Sequence, residues 1–322
     1  MSRLKVLIAE SENFSEEAVE VLRTASSVCL YMGDERQGLI NVIGDYDIVF
    51  TRLRYMFDAE LFDAAKKIKF LVSPTTGLDH IHREEAQRRG VEILSLQGQI
   101  ELLRNVTATA EHTWALLLAL TRRLPEAIKH VSSGGWDRNA LRGTELREKT
   151  IGIVGLGRLG SMVARYAVAF GMKVKYFDPF DPMVEFRGLE RCSTLAELVS
   201  TSDIITLHLP LNDETKHLFN GELFKKFKRG SVLINTSRGA IVDTDSLIDS
   251  LEDGSLSAAA LDVIDGELNG GDVLPERVRN YLACHDNLLI TPHIGGATLE
   301  SMTKTEVFMA EMVLQKIQER EN

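Results

Sequence analysis

The chain is poor in cysteine: Cys29, Cys192 and Cys284 are isolated and odd in number. That rules out a disulfide framework and supplies no paired metal ligands, so no metal site is expected. Positive charge is also short, with 37 Lys and Arg against 47 Asp and Glu and a formal net charge of −10. An acidic balance of this size opposes phosphate-backbone binding, so no nucleic-acid partner is expected. The longest apolar run covers residues 114–120, far below the ~20 residues of a spanning helix. No membrane partner is expected. Charge appears already at Arg3, too early for a secretory signal, and a reduced, cytoplasmic setting is the expectation.

What is present is globular: 322 residues, 44% of them hydrophobic, enough for two domains. Short apolar, β-branched runs alternate with helical patterns, the mark of parallel α/β units. Strands are expected at 4–9, 47–51, 70–73 and 91–94, with amphipathic stretches at 16–23 and 59–67. Residues 108–121 form a long, largely apolar helix. A second series places strands at 151–154, 173–177, 204–209, 232–235, 258–261 and 288–290. Its helices are expected at 158–170, 195–200, 222–227 and 245–251, and one more at 299–318. Gly254 suits a left-handed cap after the helix at 245–251.

GLGRLG at 155–160 matches Gly-x-Gly-x-x-Gly. Alone the pattern is weak, but here it follows a strand and opens a helix. Gly155 permits the tight turn, Gly157 admits a pyrophosphate to the backbone, and Gly160 allows close helix–strand packing. The helix N-terminus offers free N–H groups and a positive dipole end. The next strand ends in Asp178, about 20 residues on, where a dinucleotide fold places its ribose-binding acid. A 2′-phosphate there meets like charge. The neighbours Pro179, Phe180 and Asp181 supply no cation, and Lys175 is poorly placed, so NAD is expected over NADP.

Six ordered blocks then carry a resemblance: TGLDHI at 76–81, NVTATAEH at 105–112, HLPLNDET at 208–215, NTSRGAIVD at 235–243, LDVIDGE at 261–267 and PHIGGAT at 292–298. The chain resembles the D-isomer-specific 2-hydroxyacid dehydrogenases, in their phosphoglycerate dehydrogenase-like branch. The resemblance implies two Rossmann-like, doubly wound parallel-sheet domains. An NAD-binding domain at 104–291 is inserted into a discontinuous, flavodoxin-like substrate domain at 1–103 and 292–322. It implies Arg238, Glu267 and His293 as the catalytic group. It sets the cofactor against Gly155, Gly157, Arg158, Leu159, Gly160, Asp178, His208, Pro210, Thr215, Thr236, Ser237, Asp262, His293 and Gly295. Leu268 stands where the family often has proline, and Thr75 and His82 stand where its substrate loop often has glycine and an acid. Trp136 and Arg138 match a block that often crosses a dimer interface, so a homodimer is expected.

The residue types suit the chemistry. Arginine pairs a carboxylate in bidentate fashion, and Arg238 follows a strand, at the sheet edge where open α/β folds bind ligands. Histidine is the natural proton shuttle near neutrality, and a carboxylate such as Glu267 beside His293 favours its charged form. In the first lobe, Thr75, Thr76 and Gly77 follow a strand and can present amides to a carboxylate. Arg52 and Arg54, spaced i, i+2 at a strand end, suggest a second anionic group on the substrate. Glyoxylate or hydroxypyruvate reductase, and a corepressor-like NAD-sensing interaction protein, stay open as alternatives.

Overall fold

The computed structural model describes residues 3–180, 188–267 and 274–321. Asp181 and Leu268 lie outside the described residues. The chain divides into two compact units, Met1–Val106 with Ala297–Asn322, and Thr107–Gly296. This division falls a few residues beyond the boundaries expected from the sequence. Residues 291–295 are tied by hydrogen bonds to Asp262 in the second unit.

The first unit runs β1 (Leu4–Ile8), α1 (Glu16–Arg23), β2 (Ser26–Leu30), α2 (Arg36–Ile43), β3 (Ile48–Phe50), α3 (Ala59–Ala64), β4 (Phe70–Ser73), α4 (Arg83–Arg88), β5 (Glu92–Ser95) and α5 (Ile100–Leu103). Its parallel sheet has the order β2-β1-β3-β4-β5, the flavodoxin-like winding. β3 and β4 are buried at every position, as central strands covered on both faces must be. Ser15 caps α1 by accepting from the Ala18 amide, and Asp58 caps α3 by accepting from the Leu61 amide. One core face packs Val6, Phe50 and Val72 with Leu22 of α1 and Met309, Val313 and Ile317 from the C-terminal segment. The other packs Leu7, Val49 and Leu71 with Leu39 of α2 and Leu61 of α3.

The second unit runs α6 (Ala108–Thr121), α7 (Leu124–Ser132), β6 (Thr150–Val154), α8 (Arg158–Ala169), β7 (Lys173–Phe177), β8 (Leu189–Arg191), α9 (Leu195–Thr201), β9 (Ile204–Leu207), α10 (Gly221–Phe224), β10 (Ser231–Asn235), α11 (Thr244–Glu252), β11 (Leu256–Leu261), α12 (Glu276–Cys284) and β12 (Leu288–Ile290). The chain then returns to the first unit as α13 (Leu299–Glu321). The parallel order is β12-β11-β10-β9-β6-β7-β8, a Rossmann winding with one strand added. Chain direction across the sheet reverses between β6 and β9, and ligands bind such sheets at the carboxyl ends beside that reversal. α6 and α8 cover one face, through Trp114, Leu117, Val163 and Ala167, while α9 to α12 cover the other. Gly254 follows α11 at φ +72°, the left-handed cap expected.

Candidate functional site

The glycine turn leaves β6 at this reversal. Gly155 sits at φ +87°, and a Cβ there would meet the His208 carbonyl oxygen at 2.7 Å. A Cβ on Gly160 would meet the Gly155 oxygen at 2.1 Å, so helix and turn touch only because both lack side chains. At Gly157 a Cβ would meet nothing within 4 Å: that glycine faces open space, as approach of a phosphate requires. Gly157 opens α8 with no side-chain cap, and the amides of Leu159 and Gly160 have no acceptor among the described residues. The adjoining Arg158 is half-buried, and burial lowers its guanidinium below the usual range.

Asp178 closes β7. Its Oδ2 accepts from the Leu156 amide (2.8 Å) and its Oδ1 from the Phe180 amide (2.9 Å), which tie the acid to the glycine turn. The expectation that no cation stands nearby is corrected here. β8 pairs with β7 in register Tyr176↔Arg191, and Arg191 donates to the Asp178 carbonyl oxygen at 3.0 Å. Chain neighbours alone could not show it. Lys175 is paired with Glu190 at 2.9 Å.

His208 follows β9. Its Nε2 lies 3.0 Å from Thr206 Oγ1, while its Nδ1 is shut off from solvent with no hydrogen-bond partner among the described residues. Burial pushes the imidazole down to about 3, so it is neutral near pH 7. Thr215 donates to the Pro210 carbonyl oxygen (2.7 Å) and accepts from the Asn212 amide (2.9 Å), closing the turn after His208. These glycines, amides and acid fit a dinucleotide.

β10, β11 and β12 deliver the remaining residues. Thr236 and Ser237 are buried: Thr236 bonds Thr113 of α6 at 2.7 Å, and Ser237 donates to Asn235 Oδ1 at 2.8 Å. Asn235 in turn donates to the Arg238 carbonyl oxygen (2.9 Å), and Arg238 donates to that of Ser237 (2.6 Å). Asn235 stands in the NTSRGAIVD block with no task implied by the resemblance, yet this amide shapes the whole turn. A Cβ on Gly239 would fall 2.0 Å from the Ile264 carbonyl carbon, so the Arg238 turn lies directly against the backbone leading to Glu267.

Glu267 Oε1 accepts from His293 Nδ1 at 2.7 Å, and Oε2 accepts from the Ile264 amide at 3.3 Å. A carboxylate only accepts, so Nδ1 carries the proton and Nε2 is the nitrogen left for exchange; it has no partner among the described residues. His293 sits at φ +54°, a left-handed conformation that costs a non-glycine residue roughly 1–3 kcal/mol. Asp262 holds it there. Its carbonyl oxygen accepts from the His293 amide (2.8 Å), and its buried carboxylate accepts from Thr291 (2.6 Å) and the amides of Ile294 (2.9 Å) and Gly295 (2.7 Å). A Cβ on Gly295 would stand 2.8 Å from Asp262 Oδ2. Burial raises the Asp262 pKa, but bonds from His112, Thr291 and the two amides outweigh it and hold the group below the usual range. Its visible task is holding the turn that carries His293.

In the first unit, Thr75 donates to the Gly77 carbonyl oxygen at 2.7 Å, bending the loop after β4, and Thr76 is exposed. The amides of Thr75, Thr76 and Gly77 have no acceptor among the described residues. β3 ends at Phe50, so Arg52 and Arg54 lie beyond the strand rather than on one side of it. Arg52 is spent inside its own unit: it donates to Glu306 of α13 through Nε (2.9 Å) and to the carbonyl oxygens of Glu12 (3.1 Å) and Asn13 (3.3 Å). Arg54 is more exposed and 3.5 Å from Glu12. Glu10, unread in the sequence, shapes this loop by accepting from the amides of Arg52 (2.7 Å), Leu53 and Arg54 (both 3.3 Å).

No helix among the described residues is long and apolar enough to cross a membrane. Residues 114–295 match the family model of the D-isomer specific 2-hydroxyacid dehydrogenase, NAD binding domain. The chain is 35% identical over 97% of its length to a D-3-phosphoglycerate dehydrogenase of Archaeoglobus fulgidus, and 34% identical over 98% to a glyoxylate reductase of Thermofilum pendens. It spans 57% of the length of the first relative and 91% of the second. The D-lactate dehydrogenase of Aquifex aeolicus, solved with NAD and lactic acid, is 29% identical with a TM-score of 0.81, and 97% of this chain and 95% of that one are covered. On that match and those identities, the chain belongs to the D-isomer-specific 2-hydroxyacid dehydrogenases, and residues 114–295 form that family's NAD-binding domain.

Proposed function

We propose that the chain interconverts a short 2-keto acid and its D-2-hydroxy acid with NAD(H), and that Arg238, Glu267 and His293 carry the chemistry. The observation that carries this reading is the 2.7 Å contact between His293 Nδ1 and Glu267 Oε1, made by a histidine held at φ +54°. NADH, when bound, supplies the hydride for the carbonyl carbon. The amides of Leu159 and Gly160 beside Gly155 and Gly157 would hold its pyrophosphate, and Asp178 would hold its ribose. Arg238 takes the substrate carboxylate in its fork and polarises the carbonyl. His293 Nε2 gives its proton to the carbonyl oxygen as that oxygen becomes a hydroxyl, and recovers it in the reverse direction. Glu267 fixes the tautomer and stabilises the imidazolium. In the first unit, the amides of Thr75, Thr76 and Gly77 have no acceptor among the described residues and suit an anion.

Arg52 lends no support to a phosphorylated substrate, because Glu306 and two carbonyl oxygens take its donors. A small acid of the glyoxylate or hydroxypyruvate kind is therefore the first reading. A phosphorylated one such as 3-phosphohydroxypyruvate is the second, carried by Arg54 alone. A panel of both kinds with NADH, followed at the nicotinamide band, decides between them. Turnover on none of the panel would sink the enzymatic reading and favour an NAD-sensing interaction protein.

We also propose a homodimer. Leu124, Ile128 and Val131 form an apolar stripe on α7, which has no buried residue, and Trp136 just beyond it is 90% exposed. A second copy covering this stripe would be lost in Ile128→Glu. A wild-type chain that sediments as a monomer contradicts it.

A further inference from the structure

A second histidine–carboxylate pair stands beside the one just described, and the proposed mechanism does not use it. His217 Nε2 donates to Asp265 Oδ2 at 2.8 Å. Its own amide donates to the Ala240 carbonyl oxygen at 2.7 Å. The following residues continue that attachment: the Phe219 amide donates to the Ile241 oxygen (3.0 Å), and the Asp243 amide donates back to Phe219 (2.9 Å). The main chain of 217–219 is thus zipped to the segment that begins with Arg238. The side chain of His217 grips the other segment, 264–267, two residues from Glu267.

Two further features mark the contact as built. His217 lies at φ +48°, where glycine would be at ease and a histidine is strained. The two segments it joins already touch at Gly239, whose missing Cβ leaves room for Ile264. His217 and Asp265 are 41% and 37% exposed, too open for the pair to add much stability. What it supplies is geometry: the distance between the turn of Arg238 and the loop of Glu267.

We propose that His217 is a positioning residue for the reduction, with its main chain fixing the Arg238 turn and its imidazole, through Asp265, fixing the Glu267 loop. The proposal rests on the roles given above to Arg238, Glu267 and His293.

His217→Gly is the direct test. Glycine accepts the left-handed backbone and keeps the amide bonded to Ala240, so only the imidazole is lost. kcat should fall by about tenfold, in keeping with the cost of misplacing a catalytic group. KM for NADH and the melting temperature should not fall with it. Asp265→Ala should do the same, the double variant should lose no more than either alone, and Asp265→Asn, which keeps an acceptor, should restore most of the rate. In a Glu267→Gln background the effect of His217→Gly should shrink to within about twofold. Wild-type kcat in His217→Gly, when Glu267→Gln is slow, overturns the proposal, and so do losses that multiply independently. Full activity of Glu267→Gln overturns the catalytic reading itself, and this proposal with it.

Discussion

Each unit sets a carboxylate against a cationic or titratable side chain, and the tasks proposed for the two pairs are opposite. In the second unit Glu267 holds one nitrogen of His293, and the histidine keeps its other nitrogen unspent and a quarter of its side chain in solvent. In the first unit Glu306, 2% exposed, holds Arg52, whose Nε and both terminal nitrogens are bonded to this unit. Arg52 also lies over the Phe14 ring at 5.4 Å. Residue type does not separate a working pair from a structural one. The number of donors left over does, together with the conformation that presents them: His293 is strained and keeps one nitrogen without a partner among the described residues, whereas Arg52 is satisfied.

The sharpest break between the pairs should come from His293→Ala. Its kcat should fall by on the order of 10²–10⁴-fold, with NADH binding retained in a fluorescence titration. Near-normal turnover would remove the distinction. Glu306→Ala leaves Arg52 uncompensated and the Ser15 amide without its acceptor. It should cost about 3 kcal/mol in denaturant unfolding, with turnover per folded molecule little changed.

Cofactor choice tests how far Asp178 governs its corner now that Arg191 is known to stand beside it. NADH should be preferred over NADPH by at least about tenfold in kcat/KM, roughly 1.4 kcal/mol, and Asp178→Ala should shrink that margin. Equal efficiencies in the unmodified chain would hand the corner to Arg191.

The smallest effect is a pH slope. Burial raises the Glu306 pKa above its ordinary value even beside Arg52, so this group binds its proton more readily when folded. Its contribution to stability is greatest below the unfolded value and falls as pH rises through the raised one. Asp262 is depressed, so its contribution is present above the ordinary aspartate value and is lost as pH falls through the lowered one. Each slope is bounded by about 1.4 kcal/mol per pH unit. Unfolding measured against pH should lose the first slope in Glu306→Gln, and an unchanged slope would contradict the assignment.

The sequence made the central strands legible because buried parallel strands read as unbroken apolar runs, as in β3, β4 and β6. β2, mostly exposed at a sheet edge, and the three-residue β8 gave no such run. α4, with the sequence REEAQR, buries one residue and has almost no apolar face to find. At the site, residues that act through their own turn were readable: Gly155, Gly157 and His293 stand in local patterns. The pairing of Arg52 was hidden because its partner Glu306 lies 254 positions away, and that of Arg191 because a neighbouring strand delivers it. His217 and Glu10 carry no motif, and their tasks exist only once the loops they hold are folded.

Kinetics and melting of Glu267→Gln and Glu306→Ala, measured side by side on the best keto acid, test the contrast between the pairs most directly. Glu267→Gln should cut kcat by at least about tenfold and leave the melting temperature nearly unchanged. Glu306→Ala should do the reverse, melting well below the unmodified chain with kcat per folded molecule preserved. A Glu267→Gln that turns over normally, or a Glu306→Ala that melts normally and loses its chemistry, would contradict the account.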